Sequence, residues 1–193
     1  MSRYILPFLL LLSFNSVARA ESAVAFFAGG CFWCMESFYQ EYEGVTDVVS
    51  GFTGGTLENP TYRGNHEGHY EAVKVSYDPD VVSFETLLGS FWKNIDPFDN
   101  KGQFCDKGPS YRSAVFFSNP AERTSVLESK SAVAEQFPAQ KVQTEVLAAG
   151  AFWPVEEAHQ DYYLKNPLRY KYYRWNCGRD QRLEAIWGAQ EAH

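Results

Sequence analysis

Apolar side chains recur along the chain in short blocks, and the spacing within each block predicts its element. Ser22 to Ala28 is almost continuously apolar and reads as a buried strand. Phe32 to Tyr42 then reads as a helix, and Val45 to Phe52, bracketed by Gly44 and Gly51, as a strand. Thr53 to Gly68, rich in Gly, Asn, Pro and Thr, is a loop long enough to suggest a functional role. Tyr70 to Tyr77 alternates and stops at Asp78-Pro79, predicting another strand. Ser83 is a fitting N-cap for a helix to Ile95, with Phe84, Leu87, Leu88 and Phe91 on one face and Asp96-Pro97 as its stop. After a polar loop from Phe98 to Ser110 come a strand, Tyr111 to Phe117, and a helix opened by Pro120 and running to Phe137. Val142 to Leu147 reads as a strand, Val155 to Lys165 as a helix stopped at Asn166-Pro167, and Asp180 to Trp187 as a last short helix.

The first six elements follow the order β-α-β-β-α-β, so the expected architecture is α+β, a mixed sheet with a ferredoxin-like split β-α-β core and surrounding helices. No repeat, low-complexity tract or linker divides the chain, and one domain is expected from Glu21 to His193.

Residues 1–20 stand apart. Arg3, the apolar run Ile5 to Phe14 and the ending Ala18-Arg19-Ala20 form the pattern of a secretory signal peptide, cut after Ala20. Export implies an oxidising compartment, the periplasm. The formal net charge is −7, and more acidic once Arg3 and Arg19 leave with the leader. A surface so acidic argues against nucleic acid or stable association with an anionic membrane. Aromatic residues make up 17% of the chain, which favours a packed fold with aromatic-lined pockets.

Of the four cysteines, Cys31, Cys34, Cys105 and Cys177, the first two form a CxxC pair directly after Gly29-Gly30. In an exported chain an even number usually means structural disulfides, but CxxC closes a very small ring and more often cycles or binds metal. The glycine pair permits a sharp turn, which puts Cys31 at a strand-to-helix junction. The free N–H groups of a helix start favour a thiolate there and should lower the Cys31 pKa. The plainer alternative is a small buried hydrophobe. Glu71 interrupts the strand Tyr70 to Tyr77. On periodicity alone an outward-facing glutamate is the commoner arrangement, whereas a buried one would have a raised pKa and serve as a proton donor. Tyr62 and Tyr111 lie in the two loops, where paired phenols would clamp an oxygen. His66 and His69 have ligand-like spacing, yet their glycine-rich loop and the lack of a second cysteine pair argue against zinc. His159 reads as a hydrogen-bonded structural histidine.

GGCFWCMES, GGTLENPTYRGNHEGHYEAVKVSYDP, FCDKGPSYRSAVFF and EEAHQDYYLKNP occur in that order from Phe26 to Pro167. As a set they resemble the A-type peptide methionine sulfoxide reductases, in the subset carrying GCFWC. The resemblance implies that Cys31 attacks the sulfur of methionine S-sulfoxide in proteins and also in the free amino acid. Glu71 would donate to the sulfoxide oxygen, with Tyr62 and Tyr111 binding the same atom. Phe32 and Trp33 would hold the methyl group, and Asp106 would orient the substrate. Cys31 would become a sulfenic acid and then a disulfide. Cys34 is the first choice of resolving thiol because CxxC needs little movement, then Cys177, then Cys105. No metal or organic cofactor is implied. A thioredoxin-like partner would restore the thiols of a monomeric enzyme.

Two other classes share some of these features. A general dithiol oxidoreductase of thioredoxin type also has CxxC at a strand-to-helix turn, but has no use for Glu71, Tyr62 and Tyr111. A soft-metal module could bind through CxxC, but Phe32-Trp33 between the cysteines and the length of the chain argue against it.

Overall fold

The computed structural model describes residues 22–188; the predicted leader, residues 1–20, lies outside them. Four strands make the centre of the sheet: β1 (Ala23–Gly29), β2 (Val45–Thr53), β3 (Tyr70–Tyr77) and β6 (Ser113–Phe117). They run β6-β1-β3-β2, every neighbour antiparallel, which is the expected ferredoxin-like order. After the helix α3 (Pro120–Gln136), β7 (Glu145–Ala148) adds a parallel strand beside β6, and β8 (Phe152–Pro154) pairs antiparallel with β2 at the other edge. The sheet is therefore mixed. A separate two-stranded ribbon, β4 (Gly102–Gln103) with β5 (Asp106–Lys107), lies within the loop predicted from Phe98 to Ser110.

The helices α1 (Phe32–Gln40) and α2 (Phe84–Lys93) supply the main core against one face of the sheet. Phe27 from β1 stacks on Tyr39 of α1 and Phe91 of α2, with ring centres 5.1 and 5.3 Å apart. Its neighbour Phe26 points the other way and meets Phe152. Strand β3 divides likewise. Tyr70 and Ala72 join the smaller cluster, while Val73, Val75 and Tyr77 face the main core. The alternation carries Glu71 onto the helix-covered face, directly opposite Phe52 of β2. The predicted cap is in place, the Ser83 hydroxyl accepting from Thr86 N–H at 3.1 Å; the helix opened by Pro120 is capped by the Asn119 side chain, which accepts from Glu122 N–H at 2.9 Å.

The C-terminal third departs most from expectation. The predicted helix Val155 to Lys165 is instead a 3₁₀ turn, Glu157–His159, followed by Asp161 at φ +52° and one turn of α4 (Tyr162–Lys165). Side chains divert this segment. Gln160 accepts from Ser50 N–H and donates to the carbonyls of Ser50 and Val155, while the Asp161 N–H donates to Glu36. Pro167, expected as a stop, also opens α5 (Pro167–Asn176), a helix not among the predicted elements; α6 (Arg179–Trp187) follows. The strand predicted from Tyr111 begins at Ser113, because Tyr111 closes a 3₁₀ turn, Pro109–Tyr111. The strand predicted from Val142 begins at Glu145. No helix among the described residues is long and apolar enough to cross a membrane.

Candidate active site

β1 ends at Gly29, and Gly30, at φ +84°, turns the chain into Cys31, the N-cap of α1. A Cβ at Gly30 would sit 2.6 Å from Cβ of Gln103, so glycine is required for both backbone angle and space. The Cys31 carbonyl accepts from the N–H of Cys34 (3.1 Å) and of Met35 (3.4 Å), fixing the first turn. Cys31 and Cys34 are buried free thiols three residues apart on that turn, and so share one side of it.

Their electrostatics correct the expectation that Cys31 is the ionised thiol. Burial pushes Cys31 up, its hydrogen bond to Cys34 and the nearby charges of Cys34 and Glu71 add to that, and Tyr173 opposes them. The same hydrogen bond pulls Cys34 down to about 6 against its burial, helped by Arg179, Arg174 and Tyr170. The pair shares its protons, and the resting negative charge lies on Cys34, which faces the cations.

Glu71 is 1% exposed, and its Oε2 accepts the N–H of Phe32 at 3.2 Å. Burial pushes its carboxyl up to about 8. The Phe32 N–H opposes the rise, Asp106 and Cys34 reinforce it, and Tyr111 favours the ionised form without coming within hydrogen-bond distance. Oε1 is buried with no hydrogen-bond partner among the described residues. Burial raises the phenol of Tyr62 to about 12 and that of Tyr111 further, and Glu71 and Cys31 act on both. The structure thus brings Cys31, Cys34, Glu71, Tyr62 and Tyr111 into one site with two protonated phenols.

Aromatic rings wall this site. Phe32 is fully buried, and its ring centre lies 6.2 Å from Trp33 and 6.0 Å from Tyr62. Trp33 stacks on Tyr162 at 3.8 Å and on His159 at 5.7 Å, and meets Tyr173 edge-on at 6.0 Å. His159 lies 4.0 Å from Tyr62 and its Nδ1 has no hydrogen-bond partner among the described residues, so it belongs to this wall rather than being a bonded structural histidine. The other histidines serve the loop. The His69 ring accepts from Gly55 N–H and its Nε2 donates to the Leu57 carbonyl, whereas His66 stacks on Phe52.

Asp106, on β5, is half-buried and accepts from the Tyr173 hydroxyl. Burial raises its pKa, while Tyr173, Arg179 and Lys107 lower it. Cys105 and Cys177, expected as separate resolving thiols, are bonded to each other. The Cys177 sulfur lies 3.9 Å from Asp106 Oδ2. With Asp106 these sulfurs place three ligand-type atoms within 4.8 Å, but as a disulfide they are not thiolate ligands.

Four contributors escaped the sequence reading: Tyr170, Tyr173, Arg174 and Arg179. The first three and Cys177 are spaced i, i+3, i+4, i+7, the signature of one helix face, which would have shown α5 aimed at the thiols. Arg179 is 2% exposed, donates to the carbonyls of Gly29 and Asn94, and covers the Phe104 ring at 4.5 Å.

A buried thiol pair beside a neutral carboxyl, two phenols and an aromatic wall defines a thiol-dependent reductase acting on a small polar group attached to an apolar one. The family model described as peptide methionine sulfoxide reductase matches residues 23–191. The chain belongs to that family. It is 47% identical to peptide methionine sulfoxide reductase MsrA 2 of Caulobacter vibrioides over 176 residues, covering 90% of this chain and 89% of that one. Methionine sulfoxide reductase A of Corynebacterium diphtheriae superposes with a TM-score of 0.68 at 33% identity, covering 76% of both chains. Reduced Mxr1 from Saccharomyces cerevisiae superposes with a TM-score of 0.68 at 26% identity, covering 76% of this chain and 86% of that one. Mxr1 has also been solved in complex with Trx2.

Proposed function

We propose that this reductase repairs methionine S-sulfoxide in proteins, and reduces free methionine sulfoxide, through Cys31. The observation that carries this reading is the buried, unpartnered Oε1 of Glu71. Oε2 is held by the Phe32 N–H, so the carboxylic proton on Oε1 has only a substrate oxygen to meet. A sulfoxide sulfur becomes electrophilic when its oxygen is protonated, and a neutral acid flanked by Tyr62 and Tyr111 supplies that polarisation. Phe32 and Trp33 offer an apolar seat for the methyl group, and Asp106, fixed by Tyr173, orients the substrate.

Cys31 attacks sulfur while the ionised Cys34 takes its proton. The oxygen passes to Cys31 as a sulfenic acid, and methionine leaves. Cys34 then attacks the sulfenic sulfur and expels water, closing a Cys31–Cys34 disulfide. One sulfoxide and two thiols become one thioether, one disulfide and one water. The Cys105–Cys177 pair exchanges with this inner disulfide, and a thioredoxin-like dithiol reduces the outer pair. The pattern of Arg3, Ile5 to Phe14 and Ala18-Arg19-Ala20 supports export to the periplasm and cleavage after Ala20, with the enzyme acting as a monomer.

Purified protein supplied with dithiothreitol is expected to convert methionine S-sulfoxide to methionine and to leave the R epimer untouched. Absence of turnover rejects the reading. Trapping after one turnover, followed by mass spectrometry, should find Cys31 joined to Cys34.

A further inference from the structure

The turn that carries Cys105 is strained, and one side chain holds it. Gln103 and Asp106 pair across the β4–β5 ribbon, so Phe104 and Cys105 are the two residues of its hairpin turn. Phe104 sits at φ +52°, a left-handed conformation that such turns ordinarily give to glycine or asparagine. A bulky residue keeps that conformation only where its surroundings enforce it. Here they include the Arg179 guanidinium, whose Cζ lies 4.5 Å from the centre of the Phe104 ring. Arg179 opens α6 two residues after Cys177 and is buried. Its terminal nitrogens reach the inner pair. Nη1 and Nη2 donate to the Gly29 carbonyl, two residues before Cys31, at 3.3 and 3.4 Å. Nη2 also meets Sδ of Met35, next to Cys34, at 3.4 Å. Each of the four cysteines thus stands within two residues of Arg179 or of a group that it touches.

We infer that Arg179 is a positioning residue for disulfide exchange between the two cysteine pairs. Through the Phe104 ring it keeps Cys105 facing Cys177 after their bond has opened, and through Gly29 it holds the Cys31 turn against the same guanidinium. This rests on the reading that the inner pair reduces the sulfoxide and the outer pair then reduces the inner. Asp106 is tied to α5 by Tyr173, but the turn itself is joined to the α5–α6 junction by the disulfide and by the Arg179–Phe104 stack. The disulfide is open whenever the outer pair is reduced, and the stack persists. In the exchange a Cys177 thiolate attacks the Cys31 sulfur. A Cys177–Cys31 bond forms, the Cys31–Cys34 bond breaks, and Cys34 leaves as the more readily ionised thiol of its pair. The Cys105 thiolate then attacks the Cys177 sulfur, the outer disulfide closes, and Cys31 departs. Two electrons have passed to the inner sulfurs, and the protons given up by Cys105 and Cys177 balance those the inner pair takes from solvent. The second step needs Cys105 where the strained turn puts it. Without the stack the turn can relax and carry Cys105 away.

The test uses fully reduced protein, freed of reductant and mixed with excess methionine sulfoxide. It should release one methionine per chain in a fast phase, as the inner pair is oxidised, and a second in a slower phase set by the exchange. Phe104→Leu removes the ring and keeps an apolar side chain. Its first phase should stay within about twofold, and its second should slow about fivefold, the worth of one cation–π contact. Phe104→Tyr, which keeps the ring, should match the wild type in both phases. Arg179→Met removes the cation and should slow the second phase at least as much. Adding Phe104→Leu to it should slow that phase no further, because both changes break the same contact. A second phase unchanged in Phe104→Leu, both phases slowed alike, a slow second phase in Phe104→Tyr, or a multiplied loss in the double variant overturns the positioning role. A wild type that stops at one methionine per chain overturns the exchange, and the positioning role with it. One that releases none fails the functional reading instead.

Discussion

Glu71 holds the first N–H of the helix that Cys31 caps: Oε2 lies 3.2 Å from the Phe32 nitrogen. One hydrogen bond thus ties the acid to the backbone next to the nucleophile. The carboxyl is buried and pushed up to about 8, so it carries its proton at neutral pH. Sulfoxide reduction in a single turnover should therefore decline as pH rises through about 8, as Glu71 loses the proton it must donate. Glu71→Gln keeps an acceptor for Phe32 but has no acidic proton; it should slow that step by about 10²-fold and erase the decline. Rapid-quench measurement of methionine formed per enzyme, across pH 6 to about 9.5, checks both.

Arg179 is a buried cation hydrogen-bonded to backbone carbonyls, and its charge is felt by Cys34 and Asp106. Arg179→Met removes that charge and strands the carbonyls of Gly29 and Asn94. The Cys34 pKa should rise from about 6, which thiolate absorbance followed against pH would register. Stability should fall by about 2–3 kcal/mol in urea titration, because buried acceptors lose their donor.

The turn before Cys31 tolerates no side chain at Gly30. Gly30→Ala would place a methyl carbon 2.6 Å from Cβ of Gln103 at a φ of +84°. Gln103 is itself pinned, donating to the Asp96 carbonyl and accepting from its N–H. The variant should lose about 2 kcal/mol or more by thermal melting, and its activity should fall further than its folded fraction as Cys31 shifts against Glu71.

What the sequence disclosed tracks how local each determinant is. The strand β3, the cap at Ser83, the helix start at Pro120 and the Gly-Gly-Cys turn are specified within a few residues of themselves, and all were legible. The burial of Glu71 was ambiguous because Ala72 and Val73 are both apolar; only the pairing of β3 with β2 and β1 decides which face it takes. The segment Val155 to Lys165 misled because its bonds are made to Ser50 and Glu36, more than a hundred residues away. The state of the thiols was misjudged for a similar reason. Helix position favours charge on Cys31, but burial raises that thiol, and its hydrogen bond to Cys34, helped by Arg179 and Arg174 far along the chain, places the charge on Cys34. The Cys105–Cys177 pairing depends on α5 folding back over the β4–β5 ribbon, which no spacing reveals.

Glu36 is a second buried acid on α1, outside the reacting group, and it gives the last prediction. Its Oε1 accepts from the N–H of Asp161 at 3.0 Å, and Oε2 is buried without a hydrogen-bond partner among the described residues. Asp161 immediately precedes Tyr162, the residue stacked on Trp33, so Glu36 positions one wall of the substrate seat. Burial raises its carboxyl to about 7, the charge of Asp161 adds to the rise, and the Asp161 N–H, Ser50 and Lys165 counter it. A folded-state pKa above the unfolded one means that the native protein holds the extra proton. The contribution of Glu36 is then complete below the unfolded value of 4.5 and is lost as pH rises through about 7. Glu36→Gln keeps the acceptor for Asp161 and cannot ionise, so the unfolding free energy from urea titration should decline less between pH 5 and 8 than in the wild type, by about 2 kcal/mol after allowance for solvent screening. Glu36→Ala removes the acceptor as well; it should lose stability at every pH and raise the KM for sulfoxide as the Tyr162–Trp33 stack loosens. A wild-type slope retained in Glu36→Gln would show that the proton resides elsewhere, leaving Glu71 as the dominant source of the pH dependence.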